Sequence, residues 1–335
     1  MKVLKLSEYV YAASFSIVHP SYLEGFPQRE KYLFGDMPEL QLAWYKHTAL
    51  DSAEAIEAGR AQLRSHVAAF APDFILFDNP ISSLLIDDDL RAISVFDCCD
   101  WYLDYYECEF GRDDGYRRLE SGLESAMRGT PYCIFQSTTI RDWYRAHPGI
   151  ALRSDVVLPN GYDATIFHPG PSPISFERKT VLFAGKLGKW YAGLETVARA
   201  LPAGWQFVLV GDGPIRERLE GLPDVVCLGR KTLAEVGDYV RAADICVMPV
   251  NDCSPIATSE YLACGKPVVH EGDKIAWFIR DGENGFLARQ TVEDWRAALE
   301  RASRADTALL NRAMETPKPW PVLQAELAAF LHGLR

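Results

Sequence analysis

The chain of 335 residues is 48% hydrophobic and 24% charged, which is the composition of a globular protein long enough for two domains. A net charge of −11 argues against binding a nucleic-acid backbone as the main task, although it leaves room for a local basic patch at a membrane surface. No stretch approaches the roughly 18 to 20 apolar residues of a membrane span, and the N-terminus lacks the apolar run of a signal peptide.

In the first half, short apolar runs predict buried strands, and stripes of apolar residues predict helices. The runs are Lys2–Leu6, Phe74–Phe77, Ile93–Phe96, Tyr132–Phe135 and a strand from Val156 that ends in a Pro-Asn-Gly turn. One helical face carries Ile56, Leu63, Val67 and Phe70, and another carries Tyr116, Leu119, Leu123 and Met127. The segment "HPGPSP" (His168–Pro173) follows, and its three prolines and one glycine predict a linker.

The second half repeats the alternation of strands and helices more clearly. Strands are predicted at Val181–Gly185, at Phe207–Val210, which runs into a glycine loop, and at Ile245–Val250. Helices are predicted from the apolar stripe Leu194–Leu201, the capping box of Thr232 and Glu235, the cap residue Thr291 and the terminal stretch Trp320–Leu334. This alternation indicates an α/β fold with a parallel sheet on either side of the linker. Two such sheets imply a cleft, with ligands beyond the carboxyl ends of the strands.

The eight cysteines show no C-x-x-C spacing. Cys133, Cys227 and Cys246 lie in apolar, strand-like runs, which is typical of buried thiols in a reducing compartment. We therefore expect a cytoplasmic protein without disulfides and without a cysteine-ligated zinc.

The stretch "SPIATSEYLACGKPVV" (Ser254–Val269) is the first candidate for a binding site. Pro255 fixes the start of a short helix, so that the backbone N–H groups that follow are donors for a phosphate or diphosphate. These donors are Ile256, Ala257 and Thr258. Glu260, about one turn further on, can accept two hydrogen bonds from the hydroxyls of a ribose. The alternative is that Glu260 only complements the helix dipole.

The second half resembles the donor-binding domain of GT-B glycosyltransferases in an ordered set of segments over about residues 155–303. The segments are "VLFAGKLGKWYAGLETV", "FVLVGDGPIRERL", "VVCLGRKTLAEVGDYVRAADICVMPV", "SPIATSEYLACGKPVV" and "IRDGENGFLA", and the turn "PNGYD" also resembles the family. The resemblance implies two Rossmann-like, doubly wound parallel-sheet domains that face each other across a cleft. It places an acceptor-binding domain at 1–165, with a C-terminal helix at 318–335 packing back on it, and a donor-binding domain at 170–310.

The retaining members of this family have an E-x7-E pair, which the resemblance transfers to two residues of this chain. Glu260 matches the second glutamate, which binds the nucleotide ribose. The first position is Asp252, whose counterpart reaches the donor sugar. An Asp shortens this reach by one methylene, and this departure leaves retention and inversion both open.

The resemblance also implies which loops bind the rest of the donor. The family binds the diphosphate with an Arg and a Lys. In this chain the Arg position, directly after Gly185, is Lys186, and the Lys position is Tyr191. We therefore expect Lys189 to take the place of the missing Lys. A lysine is a point charge without the fork of an arginine, and a solvated loop is the alternative. Gly211 and Gly213 of the glycine loop are expected to contact the donor, and this loop fits a glycosyltransferase better than a dinucleotide-binding fingerprint. Gly229, Arg230 and Lys231 lie where the family lines the pocket for the nucleotide base.

Acidic residues after the first-half strands are candidates for the acceptor side. Asp97 and Asp100 can act as a general base or bind acceptor hydroxyls, and the alternative is a helix start followed by core aromatic residues. His19 lies where inverting enzymes of this fold hold a catalytic histidine, although an isolated loop histidine is more often incidental. Asp87–Asp89 resembles a metal-binding D-x-D motif, but we interpret it as a surface turn and expect no metal or other cofactor.

The sequence therefore predicts a glycosyltransferase that transfers a sugar from a nucleotide-diphosphate donor, UDP- or GDP-linked, to a glycan, glycolipid or metabolite acceptor, with retention preferred over inversion. Its expected partners are this donor and a sugar or lipid-linked acceptor, with no nucleic acid and with peripheral contact at the inner face of the membrane left open. Three alternatives remain: a nucleotide-sugar 2-epimerase on the same fold, a metal-dependent enzyme that uses Asp87–Asp89, and a catalytically degenerate nucleotide-sugar-binding subunit.

Overall fold

The chain folds into two compact units. A computed structural model describes residues 1–8, 29, 33, 37, 39–47, 50–150 and 152–335. Unit 1 comprises Met1–Pro159 and Pro321–Arg335, and unit 2 comprises Asn160–Trp320. The division falls before the proline-rich linker candidate at residues 168–173, and unit 2 extends past residue 310 to Trp320. His19 lies outside the described residues.

Unit 1 contains a six-stranded sheet in the order β2-β1-β3-β4-β5-β6, with every pair parallel. Its strands are β1 (Lys2–Glu8), β2 (Gln41–His47), β3 (Phe74–Phe77), β4 (Ser94–Cys98), β5 (Tyr132–Phe135) and β6 (Ser154–Val157). The side chains of β3 and β4 are buried throughout, as expected for central strands of a parallel sheet with both faces covered.

The helices of unit 1 are α1 (Ala53–Phe70), α2 (Asp88–Arg91), α3 (Tyr102–Phe110), α4 (Asp114–Gly129), α5 (Thr138–Arg145) and the C-terminal α12 (Trp320–Gly333), with a 3-10 helix at Pro80–Leu85. Three of these helices begin at a short polar residue whose side chain caps them, whereas Asp87 at the start of α2 forms no such cap. Ser52, Asp113 and Ser137 cap α1, α4 and α5 through their side-chain oxygens. Helix α12 begins at the last residue of unit 2, and the rest of it belongs to unit 1.

Unit 2 contains a second parallel six-stranded sheet in the order β12-β11-β10-β7-β8-β9. Its strands are β7 (Thr180–Ala184), β8 (Gln206–Val210), β9 (Val225–Gly229), β10 (Ile245–Met248), β11 (Val268–Glu271) and β12 (Phe286–Ala288). Its helices are α6 (Gly193–Ala200), α7 (Arg216–Glu220), α8 (Leu233–Ala242), α9 (Ile256–Ala263), α10 (Val292–Ala302) and α11 (Thr307–Met314), with a 3-10 helix at Lys189–Tyr191. The core lies around the buried strands β7 and β10.

The α/β architecture with two parallel sheets is confirmed, and so are the capping box of Thr232 and Glu235 and the cap at Thr291. The surface turn predicted at Asp87–Asp89 is wrong in detail, because Asp87 precedes the one-turn helix α2. Asp87 also forms ion pairs with Arg60 and Arg64, which occupy its carboxylate. No helix in the described part of the chain is long and apolar enough to cross a bilayer.

Candidate active site

The loops after β7 and β8 form one layer at the carboxyl ends of these strands. Gly185 N–H donates to Val210 O at 2.9 Å, and Leu187 N–H donates to Asp212 O at 3.0 Å. At the next strand, Gly211 N–H donates to Gly229 O at 2.9 Å. The glycines predicted from the sequence to bind the donor are therefore brought together by backbone hydrogen bonds.

Gly211 and Gly213 allow this close approach of the two loops. Both have positive φ, +146° and +158°. A Cβ atom on Gly211 would lie 1.9 Å from Gly185 O, and one on Gly213 would lie 2.3 Å from Leu187 O. Both contacts are with backbone, which cannot rotate away as a side chain can. These glycines are thus required to pack the loops, whether or not they also contact a donor.

We expect Gly211→Ala to destabilise the protein by about 1–3 kcal/mol more than Gly170→Ala. Gly170 is a matched control because its φ of +154° is similar and its nearest neighbour to an added Cβ is 3.7 Å away. The difference between the two variants therefore isolates the contact with Gly185 O. Urea unfolding followed by circular dichroism measures both, and equal midpoints would contradict the packing role of Gly211.

Helix α9 begins without a side-chain cap. Pro255 occupies the N-cap position, and Thr258 N–H donates to Pro255 O at 3.1 Å. Within the described residues, the N–H groups of Ile256 and Ala257 have no acceptor, and the buried hydroxyl of Thr258 has no hydrogen-bond partner. Three polar donors at the positive end of a helix dipole are suited to an anion such as a diphosphate.

Glu260 is the fifth residue of α9 and is only 7% exposed. In the described parts of the chain, no cation or hydrogen-bond donor engages its carboxylate. Burial raises the pKa of Glu260 to about 8, with a further contribution from the negative charge of Asp163. The first turn of α9 contains no acidic residue, and the dipole interaction decays within that turn, so that dipole complementation does not explain Glu260.

The turn that contains Asp163 is hydrogen-bonded to the start of α9. Asn160 N–H donates to Ser254 Oγ at 3.2 Å, and the Asn160 side-chain amide donates to Ser254 O at 2.7 Å. Ser259 Oγ donates to Asn160 O at 2.8 Å. The "PNGYD" turn is recognisable in the sequence, but the role of Asn160 is not, because its partners Ser254 and Ser259 lie 94 and 99 residues away in the chain.

Asp252 is half-buried in the loop between β10 and α9. Its Oδ1 accepts a hydrogen bond from Cys253 N–H at 2.5 Å, and Trp277 Nε1 donates to Cys253 O at 2.8 Å, which fixes the loop. Burial raises the pKa of Asp252, although the N–H of Cys253 and the charge of Lys274 oppose this rise. Asp252 and Glu260 therefore lie at the two ends of one loop and helix start, as their spacing predicts.

The basic residues predicted to bind the diphosphate lie on the layer of loops. Lys186 is half-buried directly after β7, and Lys189 is exposed at the start of the 3-10 helix. Tyr191, at the position where a lysine was expected, packs its ring 5.3 Å from the ring of Phe183 and so contributes to the core. Arg230 is exposed after β9, while Lys231 lies 6.0 Å from the ring centre of Tyr239.

Asp97 in unit 1 is fully buried, which makes it a poor candidate for a general base. Arg29 Nε and Nη2 donate to its two carboxylate oxygens at 3.0 and 2.9 Å, and Arg29 Nη1 donates to Pro159 O at 3.2 Å. A buried carboxylate with two charge-assisted hydrogen bonds is held away from solvent, so that a structural role is favoured. Asp100 is half-buried after β4, and its Oδ1 accepts from Trp101 N–H at 2.7 Å.

Unit 1 has a second, partly buried ion pair, which was not predicted from the sequence. Lys5 is fully buried on β1, and its Nζ lies 2.7 Å from Asp78 Oδ1, at the carboxyl end of β3. The hydroxyl of Tyr102 donates to Asp78 O at 2.7 Å. A lysine within an apolar strand run is the only sequence signal for this pair. Across the described ranges, no group of three or more His, Cys, Asp or Glu is arranged to hold a metal ion.

Comparison with known proteins gives a family model that matches part of unit 2 and solved structures that share the fold. Residues 178–304 match the family model described as glycosyl transferases group 1. A sucrose-phosphate synthase from Thermosynechococcus elongatus has a TM-score of 0.74 at 15% identity, over 100% of this chain and 99% of its own. HepE from Anabaena, in complex with UDP and glucose, has a TM-score of 0.69 at 16% identity, and the match covers 99% of this chain and 100% of HepE. WaaG, a glycosyltransferase involved in lipopolysaccharide biosynthesis, has a TM-score of 0.64 at 15% identity, and the match covers 99% of this chain and 100% of WaaG. No curated protein matches the sequence.

Proposed function

We propose that this chain, which has the GT-B glycosyltransferase fold and a group 1 domain at residues 178–304, transfers a hexosyl group from a UDP-linked sugar to an acceptor hydroxyl. The start of α9 carries the proposal, because it combines backbone donors and a Thr258 hydroxyl that have no partner among the described residues with a buried Glu260. A diphosphate fits the donors and a ribose diol fits the carboxylate. Complexes of HepE with UDP and with UDP-glucose support UDP ahead of GDP as the nucleotide.

The residues of unit 2 would stabilise the departing diphosphate. When the bond between the sugar C1 and the diphosphate oxygen breaks, the electron pair stays on that oxygen. The N–H groups of Ile256 and Ala257 are fixed dipoles that point to this charge, and Lys186 and Lys189 add positive charge from the loop layer. Donors that are already oriented need no reorganisation during the reaction, which is the main advantage of such a site.

We propose that the configuration at C1 is retained, on the basis of the spacing between Asp252 and Glu260. The acceptor oxygen forms the new bond to C1 on the face that the diphosphate leaves, and the acceptor proton passes to the departing diphosphate. Asp252 then contacts hydroxyls of the donor sugar, and Asp100 of unit 1 binds the acceptor. Proton NMR of the product made from UDP-α-glucose tests the stereochemistry, since a β-linked product would contradict retention.

We further propose that the reaction needs no metal ion, because the helix start and the two lysines supply the positive charge that a metal would otherwise provide. Activity should then be unchanged, within about twofold, in the presence of excess EDTA. Loss of activity with EDTA and recovery with Mg²⁺ or Mn²⁺ would contradict this. A cytoplasmic location, with a sugar or lipid-linked acceptor at the inner face of the membrane, is part of the same proposal.

The deciding experiment measures the melting temperature with UDP, GDP, ADP and dTDP and with their sugars. A ligand at a hundred times its dissociation constant stabilises the native state by about 2.7 kcal/mol. The transferase would be supported by two results together: one nucleotide family stabilises the protein, and the free nucleotide is released from its sugar only when an acceptor is present. Epimerised nucleotide sugar would support the 2-epimerase, and binding without turnover across a broad acceptor panel would support the degenerate subunit. No stabilisation by any nucleotide would overturn the donor site.

A further inference from the structure

Three neighbouring strands of unit 2 end in glycine. Gly185 directly follows β7, Gly211 directly follows β8, and Gly229 is the last residue of β9. These strands lie side by side in the sheet, and backbone hydrogen bonds from Gly185 and Gly211 to the next strand join their ends. Backbone without side chains allows the close approach of a ligand. We call the surface formed by Gly185, Gly211 and Gly229 the glycine floor.

Arg216 lies at the β9 end of the glycine floor. Its Nη1 is 3.5 Å from the position that a Cβ atom on Gly229 would take, and its side chain is one-third exposed. Arg216 Nε donates to Glu220 Oε1 at 2.7 Å, and Nη1 lies 3.5 Å from Asp212 Oδ2. Among the residues that the structure describes, no acceptor engages Nη2. The two N–H groups of Nη2 are therefore available to a ligand on the glycine floor.

The charges around Arg216 favour an uncharged ligand. Asp212 and Glu220 stand four residues before and four residues after Arg216, and both pair with its guanidinium. Asp212 is itself held in place, because Gly213 N–H donates to its Oδ1 at 2.8 Å. A phosphate at this point would be repelled by both carboxylates. A neutral carbonyl oxygen avoids this repulsion and can still accept a hydrogen bond from Nη2.

Helix α9 is anchored at the end of β7, beside the glycine floor. Ala184 N–H donates to the hydroxyl oxygen of Tyr261 at 2.7 Å, and this hydroxyl donates to Ala184 O at 3.2 Å. Glu260 directly precedes Tyr261, so that it also belongs to this end of the sheet. Strand β9 is two strands beyond β7, which is about 10 Å. A nucleoside with its ribose at Glu260 can bridge this distance with its base.

We propose that the nucleotide base lies on the glycine floor and that Arg216 is a specificity-determining residue, which selects a base with a carbonyl oxygen at the edge far from the ribose. The inference rests on the proposed function. Uracil has O4 at this edge, and O4 accepts a hydrogen bond from Nη2. Cytosine has an amino group at the same position, which only donates, so that two donors would face each other.

The expected result is a preference for UDP over CDP that depends on Arg216. The two nucleotides share the ribose and the diphosphate and differ at one edge of the base, so that their ratio of affinities cancels every other contact. The wild type should bind UDP about 10- to 100-fold more tightly than CDP. In Arg216→Met, which has no donor, this preference should fall to about threefold or less. Isothermal titration calorimetry at pH 8.5 measures the four dissociation constants.

Arg218→Met is the matched control, because Arg218 belongs to the same helix α7, is more exposed than Arg216 and pairs with Glu195 instead. This variant should keep the preference of the wild type. Arg216→Lys is a second variant if Arg216→Met unfolds, because it keeps a positive charge between the two carboxylates but lacks the Nη2 donors. The same loss of preference is expected for it. An arginine that only packed the loops would change the affinities for UDP and CDP equally.

The outcomes separate this inference from the proposed function. A preference for UDP that is lost in the Arg216 variants, but kept in Arg218→Met, supports the inference. An unchanged preference in the Arg216 variants, an equal loss in Arg218→Met, or a wild type that does not prefer UDP over CDP overturns it and leaves the donor function intact. No binding of UDP, CDP, GDP, ADP or dTDP to the wild type would instead overturn the proposed donor function itself.

Discussion

Glu260→Gln is expected to abolish the stabilisation of the protein by UDP while it makes the free protein more stable at pH 8.5. A carboxylate that accepts two hydroxyl hydrogen bonds contributes about 1.5–3 kcal/mol for each bond. An amide oxygen is a weaker, neutral acceptor, so that the dissociation constant for UDP should rise by about 100-fold or more. The gain in stability has a separate origin, namely the burial of Glu260.

The sign of this gain follows from the raised pKa of Glu260. The carboxyl group ionises at about 4.5 in the unfolded chain and at about 8 in the folded protein. Between these values the folded state holds a proton that the unfolded state has lost, and the free energy of unfolding therefore decreases as pH rises, by up to about 1.4 kcal/mol per unit. Below pH 4.5 both states are protonated and this cost is absent. The amide that Glu260→Gln introduces never ionises, so the variant avoids the loss.

Melting curves at pH 5 and pH 8.5, each with and without UDP, measure both effects. The melting temperature of Glu260→Gln should exceed that of the wild type at pH 8.5 by more than it does at pH 5. Glu235→Gln is a control, because the pKa of Glu235 is lowered by hydrogen bonds from Thr232, and its removal should destabilise the protein at high pH. If Glu260→Gln kept the full UDP stabilisation, Glu260 would not contact the nucleotide.

Arg29→Met is expected to lower the free energy of unfolding by about 3–5 kcal/mol. Asp97 is fully buried, and Arg29 supplies both of its side-chain hydrogen bonds, at 3.0 and 2.9 Å. Without Arg29, the buried carboxylate of Asp97 would lose the positive charge that balances it in a medium of low polarity. The loss should be seen as a lower urea midpoint at pH 7.

Arg64→Met is the matched control, because Arg64 pairs with Asp87 at the surface and such pairs contribute about 1 kcal/mol or less. The double variant Arg29→Met/Asp97→Leu should recover most of the lost stability, since a buried ion pair can often be replaced by apolar residues of similar volume. A loss below about 1 kcal/mol in Arg29→Met would show that the Arg29–Asp97 pair is not needed for the fold.

Features with a local cause were predictable from the sequence, whereas those that depend on distant contacts were not. The strands Phe74–Phe77 and Tyr132–Phe135 have the predicted bounds because central parallel strands are continuous apolar runs. Strand β2 (Gln41–His47) was missed although Leu42–Tyr45 is a short apolar run, because a run of four residues does not by itself distinguish a strand from a helix. Strand β12 (Phe286–Ala288) was missed because three residues are too few to show a period.

The same distinction applies to the candidate site. The spacing of Asp252 and Glu260 places both beside one helix start, and this local arrangement was predictable. The hydrogen bonds between Asn160 and Ser254 join residues 94 positions apart, and Asp97 is paired with Arg29, 68 residues earlier in the chain. The residues around these positions contain no sequence pattern that predicts either long-range contact. Asp97 and Asp100 look equivalent in sequence and differ only in their surroundings.

The division of unit 1 into two chain segments has a consequence for synthesis on the ribosome. Leu323, Leu327 and Leu331 of α12 are fully buried in the segment that completes unit 1. All residues of unit 2 are translated before this segment, so unit 2 has its whole sequence available first. Domains usually fold in the order of translation. We therefore expect the unit that contains the N-terminus to complete its core only after residues 321–335 have been translated.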